Sequence, residues 1–325
     1  MSTDYKKVLI TGGAGFIGSH IAKKLLEKGF SIRLFDLNFA NQEILWQKLG
    51  IFGSVEKITG DILDKEALGK AVQGCDFVIH AAAMLGVKNT EEHKLECLNA
   101  NLLGTINVLD ACVKGNIKRL VFTSSSEVYG EALNPPIVET SPRSPVSPYG
   151  VSKLASEEYI KAYNQKYGLE FSVVRFFNVY GPGQVAQFVM PRFIKNVRQG
   201  ESPVLYGDGL QVRAFCFVED AVEGVYKVLN QPAAKNEIFN IGNDAEPITM
   251  KELAQKVIAV SGKDIKPVLV PMQDSDREVS REIVKRIPSV QKARQVLGYE
   301  PKVSVDEGIK KTMEIDYIID NWTKP

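Results

Sequence analysis

The stretch TGGAGFIGSH, residues 11–20, follows a short apolar run, VLI (Val8–Ile10), and leads straight into IAKKLLEKG. Gly12, Gly15 and Gly18 stand three apart, with Gly13 beside the first. A strand that hands over to a helix through such a turn forms a binding place for a dinucleotide pyrophosphate. Gly12 permits the tight turn, Gly15 lets the backbone approach phosphate, and Gly18 lets the helix pack closely on the strand. Exposed N–H groups and the positive helix end then hold the anion. Phe16 and Ile17, in the first helical turn, belong to the same contact set. A glycine triplet alone is a weak signal, because any tight strand-to-helix turn can use one.

The context sharpens it. Asp36 closes the next apolar run, SIRLFD (31–36), eighteen residues past Gly18. A carboxylate there accepts hydrogen bonds from an adenine-ribose 2′-OH and repels a 2′-phosphate, which favours NAD over NADP. Arg33 lies inside the same run, where it is not expected to reverse that choice.

Outward from this turn, β-rich runs alternate with helical patterns. The expected strands are 7–11, 31–36, 55–61, 76–82, 118–125 and 171–179. Amphipathic stretches such as NLLGTINVLDACVKG (101–115) lie between them, with apolar residues recurring at three and four. Near-continuous apolar strands are buried on both faces, and the alternation predicts an α/β fold with a doubly wound parallel sheet. After Tyr180 the rhythm changes to GPGQ, a helix-like QFVMPRFIKNVRQG and short strands. The expected division is therefore a dinucleotide-binding domain of residues 1–180 with 214–242, the latter returning a helix and strand to the sheet. A smaller C-terminal α/β substrate-binding lobe takes residues 181–213 with 243–325.

The formal net charge of +1 in 325 residues gives no general attraction to nucleic acid or anionic lipid. No run is long and apolar enough to span a membrane, and MSTDYKK lacks the apolar stretch of a secretion signal. Cys75, Cys97, Cys112 and Cys216 show no CxxC spacing and read as reduced core thiols, which suits a cytoplasmic protein. His20, His80 and His93 are not spaced as ligands, so no metal is expected. His20 reads as a helix residue behind the glycine turn.

The second informative stretch is SPYGVSKLASEEY (147–159). Ser147 and Pro148 initiate a helix, so Tyr149 and Lys153, four apart, share one face. A free tyrosine titrates near 10, so a phenolate base needs help. A neighbouring ammonium and a cationic nicotinamide both favour it, and each tenfold gain in acidity corresponds to about 1.4 kcal/mol. Such a phenolate can take a hydroxyl proton while hydride leaves the same carbon. TSSS (123–126) ends a parallel strand, beyond which sheet ligands bind.

TGGAGFIG (11–18), Asp36, GDILD (60–64), HAAA (80–83), NLLGT (101–105), TSSSEVYG (123–130), YGVSK (149–153), RFFNVYGPGQ (175–184) and GDGLQVRAF (207–215) span the chain. In that order they resemble the extended short-chain dehydrogenase/reductase family, and most of all its NAD-dependent nucleotide-sugar epimerases and dehydratases of the UDP-glucose 4-epimerase type. The resemblance implies that Asp61 and Ile62 contact adenine and that Ala81 and Ala82 line the cofactor's path. Asn101 would steady the Tyr–Lys site. Ser125 would share the substrate's C4 oxygen with Tyr149, and Lys153 would also grip the nicotinamide ribose. Asn178 and Arg213 would reach the diphosphate, Arg286 the nucleotide, and Tyr206 is a candidate to stack on the base. Two departures stand out: Ala214 replaces the acid of a usual RDF, and Ser289 replaces the Asp of RxPDxxKA.

The resemblance also implies that the reaction begins by oxidising the sugar at C4. A 4,6-dehydratase then uses adjacent Asp and Glu, whereas Ser126-Glu127 stands here. An epimerase needs neither, so 4-epimerisation of a UDP-hexose or UDP-uronate is favoured. A UDP-uronic acid decarboxylase is the alternative, with Arg192 the candidate to face a C6 carboxylate. A uronate 4-epimerase would use the same arginine. If strand alternation persists to Glu127, its carboxylate shares a side with Ser125; if the strand has ended, it fixes a loop instead. A non-catalytic NAD-binding sensor of this fold would typically have lost Tyr149 or Lys153. A homodimer is expected through the helices beginning near Asn101 and Tyr149, with Leu103, Val108, Leu154, Ile160 and Tyr163 on outer faces.

Overall fold

Apolar runs that cannot face water on either side form the centre of the molecule. A computed structural model of the chain describes residues 6–40, 42–131, 134–274 and 283–315. Its main sheet has β1 (Lys7–Thr11), β2 (Ser31–Asp36), β3 (Glu56–Thr59), β4 (Phe77–His80), β5 (Arg119–Ser125), β6 (Phe171–Phe176) and β7 (Glu237–Ile241). The spatial order is β3-β2-β1-β4-β5-β6-β7, and every neighbouring pair is parallel. This is the doubly wound order, with its reversal between β1 and β4. Along β1, Val8 and Ile10 join one apolar cluster while Leu9 joins the other, as two covered faces require. Helices α1 (Phe16–Glu27) and Val218–Asn230 supply residues to the first cluster; α2 (Gly104–Lys114) and α3 (Pro148–Tyr167) supply the second.

Four expected strands are shorter than the sequence suggested, that at 118–125 by a single residue. The run 171–179 breaks at Phe176 because Asn178 adopts φ +41°, which strands do not tolerate. Val179–Tyr180 then pairs with Cys216–Phe217 instead. The runs at 55–61 and 76–82 contract to β3 and β4, whose C-terminal ends open into loops. Beyond the main sheet, Val212–Ala214 lies between Pro247–Thr249 and Lys285–Arg286, and Val204–Tyr206 pairs with Val268–Val270. The end of the expected second lobe, 316–325, lies outside the described residues. No helix among the described residues is long and apolar enough to cross a membrane.

The expected outer face of α2 and α3 needs correction. Val108 and Ile160 are buried in the core, because their helical phase turns them toward the sheet. Leu154 packs on the small cluster around Phe177, and the Tyr163 hydroxyl donates to Asp110 at 2.6 Å. The exposed apolar side chains there are Leu103, Val151, Tyr159 and Tyr167.

One charged pair lies inside this apolar frame. Arg175 of β6 meets Glu157 of α3 through Nε–Oε1 at 2.9 Å and Nη2–Oε2 at 2.6 Å. Both side chains are at most 1% exposed. Arg175 Nη1 also donates to the Tyr129 hydroxyl at 2.7 Å and the Glu139 carbonyl at 3.0 Å. Ser124 donates to Glu157 at 2.6 Å, and Tyr129 to Asn240 at 2.7 Å. Removing one partner leaves a buried guanidinium uncompensated. Glu157→Ala should therefore lower the unfolding free energy by about 3–5 kcal/mol, read from urea unfolding of both proteins.

Candidate active site

A cavity of about 1080 Å³ opens over the C-terminal ends of β1, β2, β4 and β5 and reaches the smaller strands. At its first end the backbone lies unusually close. Gly12 has φ +70°, and a Cβ there would sit 2.5 Å from Ala82 N. A Cβ on Gly18 would lie 2.1 Å from the Gly12 carbonyl oxygen. Gly15 is the N-cap of α1, with no side-chain cap, and with Phe16 and Ile17 it lines the cavity. The first-turn N–H groups of α1 are thus open to an anion.

Asp36 lies beside this turn. Its carboxylate accepts from Ala14 N at 2.9 Å and Leu37 N at 2.8 Å, and burial pushes its pKa up. Arg33 is turned away, bonded to the Ala71 carbonyl at 2.6 Å and to Glu56 at 2.9 Å. Asp61, Ile62, Ala81 and Ala82 line the same end. His20 hydrogen-bonds the Pro182 carbonyl at 2.9 Å; burial lowers its pKa to about 4, so the neutral ring donates and ties α1 to GPGQ.

The middle of the cavity gathers Ser125, Glu127, Tyr149 and Lys153. Ser147 caps α3, accepting from Gly150 N at 3.0 Å, with Pro148 next. Lys153 Nζ lies 5.6 Å from the Tyr149 ring centroid and donates to the Thr123 carbonyl at 2.8 Å. Asn101 sits in a π-helical turn, Asn99–Leu103, and clamps Met84 N at 2.7 Å and Met84 O at 3.0 Å. It also donates to Ser152 Oγ at 3.1 Å, one residue before Lys153.

The expected acidification of Tyr149 by Lys153 is not met by the protein alone. Burial raises the phenol pKa, Glu127 and Cys97 add to it, and a hydrogen bond with Ser125 opposes them. Burial also lowers Lys153 to about 7, so its ammonium is only partly populated at neutral pH. The open question about Glu127 also resolves. The strand ends at Ser125, and Ser126–Tyr129 is a 3₁₀ turn, so alternation does not reach Glu127. Its carboxylate still lines the cavity and accepts from Ser147 Oγ at 2.5 Å, while Ser126 is buried beside it.

At the far end stand Asn178, Arg192, Tyr206, Arg213 and Arg286. Asn178 donates to the Ala214 carbonyl at 2.9 Å. Arg213 and Arg286 are register partners on neighbouring parallel strands. Ala214, in place of the usual acid, is wholly buried. Arg192 lies 5.5 Å over the Tyr206 ring, so one face of that tyrosine already carries a guanidinium. Sequence reasoning missed the wall of Met84, Asn89, Thr90, Gln187 and Phe188, and Leu37, Asn38 and Gln42 near Asp36. Gly86 has φ +100°, and a Cβ there would lie 2.5 Å from Gln187 Nε2. All four cysteines are buried and unpaired. Among the described residues no cluster of His, Cys, Asp or Glu is placed to hold a metal ion.

A model of the NAD dependent epimerase/dehydratase family matches residues 8–242. The chain belongs to that family. It is 37% identical over 319 residues to the UDP-N-acetyl-alpha-D-glucosaminuronate decarboxylase of Bacillus cytotoxicus, covering 95% of this chain and 97% of the relative. Its fold superposes on Thermus thermophilus UDP-glucose 4-epimerase, solved with NAD, with TM-score 0.84 and 33% identity over 95% and 98% of the two chains. UDP-glucuronic acid 4-epimerase from Bacillus cereus, solved with UDP-glucuronic acid and NAD, gives TM-score 0.87 at 28% identity over 95% and 98%.

NAD is the cofactor of this epimerase/dehydratase. The cavity fits it: the glycine turn has no room for side chains, α1 presents uncapped N–H groups, and Asp36 stands where an adenosine ribose would end. Gly12, Gly15 and the α1 N-terminus would hold the pyrophosphate, and Asp36 the ribose. Asp36→Ala should weaken NAD binding about 10- to 100-fold and narrow the preference over NADP, as read by calorimetric titration with each dinucleotide.

Proposed function

We propose that the protein is an NAD-dependent 4-epimerase of a nucleotide sugar, with a UDP-hexose or UDP-uronate as substrate. The observation that carries this reading is the convergence of Ser125, Tyr149 and Lys153 in one cavity, with Ser126 rather than an acid next in line. When bound, NAD supplies the oxidant, taking hydride from the sugar's C4 and later returning it. Tyr149 takes the C4 hydroxyl proton and holds it for the return. Ser125 hydrogen-bonds the same oxygen, and Lys153 anchors the strand end through Thr123. The 4-keto sugar turns over between the two half-reactions, so no further acid or base is needed. Asn178, Arg213 and Arg286 offer donors to the diphosphate and nucleotide.

A second reading is decarboxylation of a UDP-uronic acid. It is favoured by the Glu127 carboxylate in the cavity and by Arg192, which lines the same cavity and suits a sugar carboxylate. The Bacillus cytotoxicus relative carries that activity in its name. Dehydration lacks the acid at position 126. A cytoplasmic homodimer through α2 and α3 completes the proposal, supported by the exposed apolar side chains Leu103, Val151, Tyr159 and Tyr167 and by four unpaired thiols. The two-lobe division at 180/181, 213/214 and 242/243 belongs to the same reading.

Tyr149→Phe should retain the fold and NAD binding but lose about 10²- to 10⁴-fold in turnover, with Ser125→Ala losing less. Product NMR after incubation with UDP-, dTDP-, GDP- and CDP-sugars identifies the substrate. Deuterium at C4 should stay at C4 of an epimeric product; release of carbon dioxide selects the second reading, and wild-type turnover in Tyr149→Phe overturns both.

A further inference from the structure

Behind the cavity wall, and not lining it, three buried side chains stand in line between the glycine turn and α3: Thr11, His80 and Thr105. Their hydrogen bonds have a determinable direction. The Thr105 hydroxyl donates to the Asn101 carbonyl at 2.6 Å, so its oxygen can otherwise only accept. It accepts from Ser156 Oγ at 3.2 Å and faces His80 Nε2 at 3.0 Å, so Nε2 carries the proton. Nδ1 is then a bare acceptor for the Thr11 hydroxyl at 2.7 Å, and Thr11 Oγ1 accepts the Ala82 N–H at 3.4 Å. The chain runs one way, from Ala82 through Thr11, His80 and Thr105 to Asn101. Full burial, together with the Lys153 ammonium, lowers His80 to about 3, so no second ring proton reverses it.

Both ends of this chain are mechanically engaged. Ala82 N is the atom against which Gly12 is pressed, leaving no room for even a methyl group between them. At the other end, Ser156 belongs to α3 and Asn101 reaches Ser152 of the same helix. We propose that His80 is a positioning residue that couples occupancy of the glycine turn to the placement of Tyr149 and Lys153, through this directed chain of hydrogen bonds. The proposal rests on reading Tyr149 and Lys153 as the reacting side chains. Its test uses no sugar, so it fails or stands apart from the choice of reaction.

The experiment compares the full-length wild type, Thr105→Val and Thr105→Ser, each shown to be folded by circular dichroism. In the cofactor-free wild type, ¹⁵N NMR of the imidazole should show His80 neutral and protonated on Nε2 down to about pH 4, above its lowered pKa. Thr105→Val removes the acceptor while keeping the side chain's shape. It should shift His80 toward the Nδ1-protonated form and weaken NAD binding about 5- to 30-fold by calorimetry, although position 105 does not line the cavity. Thr105→Ser should restore both. Three results would overturn the proposal: wild-type His80 protonated on Nδ1, NAD affinity unchanged in Thr105→Val, or a loss of affinity that Thr105→Ser does not rescue.

Discussion

The Glu157–Arg175 ion pair is the constraint from which the active site takes its shape. Ser124 donates to the same carboxylate, and its neighbour Ser125 faces the cavity. Arg175 reaches Tyr129, at the end of the 3₁₀ turn that carries Glu127. The strand end, the turn and α3 are therefore all referenced to one carboxylate. Burying two charges is costly even when they meet, and an apolar pair of equal volume could give similar stability. The ion pair adds direction: a bidentate fork admits few relative orientations of β6 and α3.

Enclosure disfavours charge on both reacting side chains. Burial penalises both the Tyr149 phenolate and the Lys153 ammonium, which moves their pKa values in opposite senses. A nearby carboxylate at Glu127 deepens the first effect. Any positive charge placed beside Tyr149 therefore favours the phenolate. The same enclosure gives the Ser125 hydrogen bond more weight than it would have at a surface.

Much of this was legible in the sequence because it follows from periodicity and glycine. β1 and β2 match their apolar runs residue for residue, since a strand buried on both faces leaves a continuous signal. Asp36 and the Tyr149–Lys153 spacing were readable because one is a strand end and the other a helical face. The turn at Asn178 was not: asparagine tolerates the left-handed region, but the apolar run RFFNV around it reads as continuous strand. Nor was the phase of α2 and α3: Val108 and Ile160 satisfy an outward pattern as well as an inward one until the sheet is placed. The Arg175–Glu157 pair joins residues from different elements, and a sequence read one window at a time cannot bring them together. The pKa of Tyr149 depends on enclosure, which no spacing encodes.

The seventh strand has a consequence for how the chain acquires this shape. β7 pairs with β6, but Val204–Tyr206, Val212–Ala214 and two helices lie between them in the chain. The edge of β6 therefore waits, unpaired, until the chain through residue 241 has emerged from the ribosome. Loop closure over that interval costs little more than over a short one, since the entropy grows only logarithmically with length. The delay is one of order rather than energy. During synthesis the β1–β6 core can form with an open edge, an exposure that aggregation exploits in other sheets. Arrival of β7 closes that edge and joins Asn240 to Tyr129, so sheet completion and completion of the polar network coincide.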